Sequence, residues 1–281
     1  KDLTHIPLIT IDGQSTLDFD DALSIEEKDG YYVVGVHIAD VGQSVGKNSP
    51  IDEDAIVRGS SIYMPDMKIP MLPPSLAEDL CSLRAGEPRP AISIMIRIDP
   101  ASGSILNYEI FPSIIRVEKQ LTYYDVNSIA ENDRDILLLH DIATKFRRYR
   151  LNNGAIHIAL PEVNIWIGDD GEIVMNKINR ESCGRKLVSE LMIMANWLMA
   201  KFLCSHNLPA IFRSQPDPKE RLYEGENGSL FQHWMQRRLL SRFVLSSRAE
   251  RHSGLGLDAY LTATSLIRKY FDLIVQRQIR A

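Results

Sequence analysis

The chain has 281 residues, a net charge of −5 and the composition of an ordinary globular protein, enough for one large domain or two smaller ones. No apolar run reaches the length needed to span a bilayer, and the first residues lack the pattern of a secretion signal. Cys81, Cys183 and Cys204 are far apart and form no C-x-x-C pair, so neither a disulfide framework nor a structural zinc site is expected; buried, reduced thiols of an intracellular protein are.

Ile6–Ile11 reads as a strand that leads into an acidic segment, and Ala22–Glu26 and Tyr31–Val41 read as two more strands joined by a Lys28-Asp29-Gly30 turn. Asp52–Arg58 has the length of a short helix. Tyr63–Pro74 holds Pro65, Pro70, Pro73 and Pro74, so an extended, irregular loop is expected there. Ser75–Leu83 reads as a helix capped by Ser75, with Glu78 three residues on. Ala91–Asp99 and Asn107–Val117 read as strands, Asp133–Asn152 as a charged helix, and 156–167 with 172–178 as a hairpin around Asp169-Asp170-Gly171. The clearest helix is Lys186–Ser205, where Leu187, Leu191, Met194, Leu198 and Phe202 recur at helical spacing. Pro209–Gly228 suits a long surface connection, 217–247 is polar and then helical, and Asp258–Arg280 is predicted as a final helical region. Strands precede helices, which predicts an α+β domain and not a repeating βαβ fold.

Charge is divided unevenly. Residues 1–40 carry nine acids against two lysines, whereas residues 236–281 carry nine basic residues against three acids. One end can collect cations and the other phosphates, although a set of solvated surface charges would look the same. The acids concentrate in Thr10-Ile-Asp-Gly-Gln-Ser-Thr-Leu-Asp-Phe-Asp-Asp-Ala-Leu-Ser24, with Asp12, Asp18, Asp20 and Asp21 directly after a strand. Like charges this close need neutralising. Hard oxygen ligands without a nearby His or Cys suit Mg²⁺ or Mn²⁺ better than zinc. An EF-hand is a poor match because, counting from Asp18, the sixth residue is Leu23 and the twelfth Asp29. Carboxylate-bound metal pairs suit phosphoryl chemistry, and the basic segment Ser265-Leu-Ile-Arg-Lys-Tyr270 offers Arg268 and Lys269 to offset charge in a transition state.

The acidic segment resembles the first motif of the ribonuclease II/ribonuclease R (RNB) family of exoribonucleases. His37-Ile-Ala-Asp-Val41, Arg58-Gly-Ser-Ser-Ile-Tyr-Met-Pro-Asp66, Ile69-Pro-Met-Leu-Pro-Pro74 and Leu80-Cys-Ser-Leu83 follow in family order. Leu121-Thr-Tyr123, Leu187-Val-Ser-Glu-Leu-Met192, His252-Ser-Gly-Leu255 and Thr264-Ser-Leu-Ile-Arg-Lys-Tyr270 complete the set, over nearly the whole chain. A lone D-x-D-D would be weak, whereas the ordered set is specific.

The resemblance implies an α+β catalytic domain with a mixed or antiparallel sheet and helices enclosing an RNA channel. It implies one such domain over residues 1–281, incomplete at its C-terminus and without the OB-type RNA-binding domains that normally flank it. It also implies 3′-to-5′ hydrolysis of single-stranded RNA to nucleoside 5′-monophosphates with two metal ions, Mg²⁺ or Mn²⁺, and no small organic cofactor or membrane partner. Asp12, Asp18, Asp20 and Asp21 become the metal set, Asp20 the acid whose loss most damages catalysis, and Arg268 the stabiliser of the phosphate. Tyr63 matches the aromatic that stacks on a terminal base, Tyr123 and Glu190 match positions that contact the 3′ nucleotides, and Lys269 adds a basic contact. The second aromatic of the clamp falls at Ile158, which has no π face, so stacking is weaker there or Trp166 substitutes. Leu266 stands where the family has Pro, Ser253 where it has an aromatic, and Pro216–Ser247 is short. The expected compartment is the bacterial cytoplasm or an organelle interior, and oligomeric state is left open. Two other functions fit the same residues: an RNA-docking module that has lost turnover, and a metal-dependent nuclease acting on DNA.

Overall fold

The computed structural model describes residues 1–167 and 170–280, without the side chain of Trp166. Strands β1 (Ile9–Asp12), β2 (Asp21–Lys28) and β3 (Tyr31–Ala39) open the fold. Helices α1 (Val41–Ser44) and α2 (Pro50–Arg58) and the short strands β4 (Ile62–Tyr63) and β5 (Lys68–Ile69) come next. A single π-helical turn, Leu76–Leu80, leads to β6 (Pro88–Ile98), β7 (Ile105–Arg116) and β8 (Lys119–Thr122). The second half holds α3 (Tyr123–Ile129), α4 (Arg134–Asn152), β9 (Glu162–Ile167), β10 (Ile173–Ile178), α5 (Cys183–Ser205), β11 (Phe212–Ser214), α6 (Leu230–Leu239), β12 (Val244–Ser246) and α7 (Tyr270–Arg280).

Six strands form one mixed sheet in the order β7-β6-β3-β2-β1-β8, antiparallel throughout except where β1 and β8 run parallel. The β2–β3 hairpin turns at Asp29 and Gly30, both at positive φ (48° and 83°), the backbone that a two-residue turn between twisted strands needs. A buried polar chain crosses four neighbouring strands. His37 bonds Ser24 at 3.0 Å and Ser93 at 2.6 Å, and Ser93 bonds Ser113 at 2.6 Å. Burial drives the His37 pKa down to about 3, so the imidazole is neutral. Gly35 is required beneath it, since a Cβ there would lie 2.3 Å from the Ser24 hydroxyl and 2.4 Å from the His37 ring. A one-residue slip of any strand breaks this chain, so the polar residues specify register inside an otherwise aliphatic layer.

Helices α4 and α5 pack on each other and reach the sheet at β2 and β3. By length and composition α5 could cross a membrane, contrary to the expectation that no segment here would. Its composition has another cause: Leu187, Leu191, Met194, Leu198 and Leu203 are buried in the protein core. Of the cysteines only Cys81 is fully buried; Cys183 and Cys204 are half-buried, and all three are free thiols.

Four local expectations are corrected. Ser75 is itself in helical conformation and caps nothing, and Glu78 pairs with Lys68 at 3.2 Å instead. Residues 156–161 are not strand. Within Pro209–Gly228, Phe212 and Ser214 are buried in β11, which pairs with β12. The final helix begins only at Tyr270, because the backbone before it bonds other segments. Ser265 N–H donates to Asp272, Ser61 N–H to the Arg268 carbonyl, and Tyr270 N–H to the Gly59 carbonyl. Asp169 of the expected hairpin turn lies outside the described residues, although β9 and β10 pair antiparallel as expected.

Candidate functional site

Parallel pairing of β1 with β8 sets Asp12 level with Thr122. Thr122 caps α3, accepting from Asp125 N–H at 3.1 Å while the Asp125 carboxylate accepts from Thr122 N–H at 2.8 Å. The next residue, Tyr123, is thereby held beside the acids. Its hydroxyl is pushed up to about 12, by burial first and then by Asp12 and Asp21.

The loop from Asp12 to Asp21 is splinted by Ser82, which is fully buried. Its hydroxyl accepts from Phe19 N–H at 3.0 Å and donates to the Leu17 carbonyl at 2.8 Å. Leu83 N–H donates to the Phe19 carbonyl at 3.0 Å, and Ala39 N–H to the Asp20 carbonyl at 2.8 Å. Asp18 and Asp20 are therefore presented from a fixed backbone.

Asp20 is 2% exposed, and its carboxylate accepts from Ile267 N–H at 2.9 Å and from Arg268 Nε at 3.0 Å. Burial raises its pKa to about 7 despite the guanidinium. Asp21 is raised well above the carboxylate range by burial and then by Asp12 and Asp20. Asp12 rises to about 6, chiefly by burial, with Arg268 opposing and Asp18 adding. Its Oδ2 atom is buried and has no hydrogen-bond partner. Three carboxylates raised by burial and by neighbouring acids, one with an orphaned buried oxygen, offer hard, oxygen-only donors that fit Mg²⁺ or Mn²⁺.

Asp18 is tied outward. It accepts from the Tyr63 hydroxyl at 2.7 Å and pairs with Lys68 Nζ at 3.1 Å. Among the described residues, no three of the four aspartates bring carboxylate oxygens within 4.8 Å of one another. His157, Glu181 and Glu226 do, and there Arg147 fills the centre, 2.8 Å from Glu181 and 2.7 Å from Glu226. Lys68 and Arg268 thus act as counter-ions to Asp18 and Asp20, and Asp12 and Asp21 are left facing open space.

That space is a cavity of about 470 Å³. Asp12, Asp21, Tyr123, Arg268 and Lys269 line it together, α5 contributes Val188, Met192 and Ile193, and Arg213 and His252 line it as well. Tyr63 stands half-exposed outside, on Asp18. Glu190 is placed differently from its expected role. It is 3% exposed and both its oxygens bond Arg150, at 2.9 and 2.6 Å, so the pair is internal and not part of the cavity lining. Ile158 is half-buried in the irregular 155–161 segment, away from the cavity lining, and the Trp166 side chain lies outside the described residues. Sequence reasoning missed Lys68, Ser82, Arg150 and Arg213. Lys68 and Ser82 fall in or between recognised motifs, whereas Arg213, in Ile211-Phe-Arg-Ser214, carries no local signal.

A family model described as RNB domain matches residues 1–281. An uncharacterized ribonuclease of Synechocystis is 35% identical over the whole chain, which covers 43% of that protein. Ribonuclease R of Thermotoga maritima is 32% identical, again over the whole chain and 46% of the relative. The chain therefore spans less than half the length of these relatives. Mycoplasma genitalium RNase R, solved in complex with ribose-methylated single-stranded RNA, shares the fold with a TM-score of 0.88 at 24% identity, over 99% of this chain and 50% of that one.

Proposed function

The chain belongs to the RNB domain family, and on that premise we propose that residues 1–281 are the catalytic domain of a 3′-to-5′ exoribonuclease, which hydrolyses single-stranded RNA to nucleoside 5′-monophosphates. The observation that carries this reading is the cluster of Asp12, Asp20 and Asp21, with raised pKa values and one orphaned oxygen, set against Arg268 at a cavity.

Asp12 and Asp21 would hold divalent ions, with Asp18 and Asp20 completing the set. When bound, Mg²⁺ or Mn²⁺ supplies an activated water and stabilises the leaving oxygen. Asp20 orients Arg268 through the bond at 3.0 Å and stays buried behind it, so the guanidinium reaches the cavity at a fixed angle. Arg268 then offsets charge on the phosphate under attack, and Lys269 adds a second cation beside it. Tyr63 offers an exposed ring for a base, while its hydroxyl holds Asp18. Tyr123 keeps its proton at neutral pH and can donate to a nucleotide oxygen. The three free thiols fit the expected reducing compartment, the bacterial cytoplasm or an organelle interior.

The test is release of mononucleotides from end-labelled single-stranded RNA and matched DNA, with Mg²⁺ or Mn²⁺ or with chelator, by wild type and Asp20→Asn. Metal-dependent release from RNA, abolished in the variant, is expected. Equal activity in the variant overturns the mechanism. RNA binding without cleavage makes the protein a docking module, and preference for DNA makes it a deoxyribonuclease.

A further inference from the structure

The cavity that holds the acids has a second pole. Arg213 and His252 both line it, and in each a buried nitrogen, Arg213 Nε and His252 Nδ1, has no hydrogen-bond partner. His252 is 7% exposed, and burial lowers its pKa to about 4, with Arg213 and Arg150 as the charges that add to the effect. The charges that bear most on Asp12 are instead Arg268 and Asp18. Arg213 is rigidly presented. It sits in β11, its N–H donates to the Tyr260 carbonyl at 2.9 Å, and its guanidinium lies 3.9 Å over the Phe243 ring. Among the described residues it has no carboxylate partner.

A buried guanidinium nitrogen without an acceptor is costly, and it costs least when the ligand brings the acceptor. One cavity thus leaves an orphaned acceptor at Asp12, which wants a cation, and orphaned ring and guanidinium nitrogens at the other pole. We propose that Arg213 and His252 form a second anion subsite that takes a phosphodiester of the bound strand other than the one cleaved. The Arg213 guanidinium donates to a non-bridging oxygen, and the neutral His252 imidazole donates to the same phosphate. The subsite deepens the proposed nuclease function and rests on it: a strand gripped at two phosphates is fixed in register along the cavity, so the linkage presented to Asp12 and Asp21 is set by distance from Arg213.

The experiment uses the full-length protein, wild type, Arg213→Gln, Arg213→Lys and His252→Asn. The first arm measures single-stranded RNA affinity against salt concentration. Arg213→Gln is expected to weaken binding about tenfold and to flatten the log–log salt slope by about 0.7, the value of one phosphate contact on a single strand. Arg213→Lys keeps the slope, and His252→Asn weakens binding with the slope unchanged. The second arm places one uncharged methylphosphonate at successive linkages of the RNA. Wild type loses affinity at one internal linkage, and Arg213→Gln is insensitive at that linkage. An unchanged slope in Arg213→Gln, or equal methylphosphonate sensitivity in wild type and variant, overturns the subsite. Both arms read binding in chelator, so a protein that binds this way but cleaves nothing keeps the subsite and loses the nuclease reading. A protein that cleaves normally with an unaltered slope does the reverse.

Discussion

Asp20→Asn separates the electrostatic account of the site from a merely packed one. The folded protein raises this carboxyl from 3.8 to about 7. Between those values the folded state keeps the proton and the unfolded state has lost it, so stability falls as pH rises through the window. At one decade of equilibrium constant per pH step, the full effect above pH 7 is roughly 4 kcal/mol, and about 2–3 kcal/mol of it develops between pH 5 and pH 8. Asparagine has the shape of the protonated acid and does not titrate. Its amide must face either Ile267 N–H or Arg268 Nε, donor against donor, which costs about 1–3 kcal/mol but not in a pH-dependent way. His37 and His252, whose depressed pKa values make stability fall toward acid, titrate alike in both proteins and drop out of the difference. Thermal unfolding of both proteins in EDTA from pH 5 to 8 is the assay. The variant should gain on wild type by about 3–5 °C across that range. Saturating Mg²⁺ should stabilise wild type most at pH 8, where the carboxylates are ionised, and so shrink the difference. Parallel curves in EDTA would refute the raised pKa and, with it, the cost of holding these acids together.

Ser82→Ala should destabilise by roughly 1–3 kcal/mol, since it strands Phe19 N–H and the Leu17 carbonyl. RNA cleavage should fall further than urea unfolding alone explains, because the loop carrying Asp18 and Asp20 loosens; a loss of activity matching the stability change argues against the splint. Glu190→Ala leaves Arg150 buried and unpaired and should cost about 3–5 kcal/mol, with part recovered in the Glu190→Ala/Arg150→Met double variant; a neutral single variant would place the pair in solvent. Ile158→Phe should tighten binding of short RNAs by up to about 1–3 kcal/mol if a base reaches that segment, as fluorescence anisotropy would show; no gain means that stacking is completed elsewhere.

Much of this was legible in the residues. The strand-like runs Tyr31–Val41, Ala91–Asp99 and Asn107–Val117 marked β3, β6 and β7, the Lys28-Asp29-Gly30 turn marked a hairpin, and the spacing of apolar residues marked α5. The acids and Arg268 were legible through their ordered motifs. What was not legible depends on partners far along the chain. Glu190 looks like an exposed helix acid until Arg150 of α4 is seen to take both its oxygens. Residues 258–269 have helical composition but spend their backbone bonds on Ser61, Asn196 and Asp272. Lys68 reads as a loop lysine, and nothing in its neighbours says that it neutralises Asp18. Arg213 needs the cavity to be drawn before its lack of a partner means anything.

The bond between Asp20 and Arg268 joins residues 248 positions apart. Closing a loop that long is slow relative to forming the β2–β3 hairpin, whose contacts are local. During synthesis the acidic loop is made first and lacks this partner until Arg268 has emerged. The order of assembly bears on the proposed activity: a chain that has not yet reached Arg268 lacks the guanidinium that pairs with Asp20 and faces the cavity.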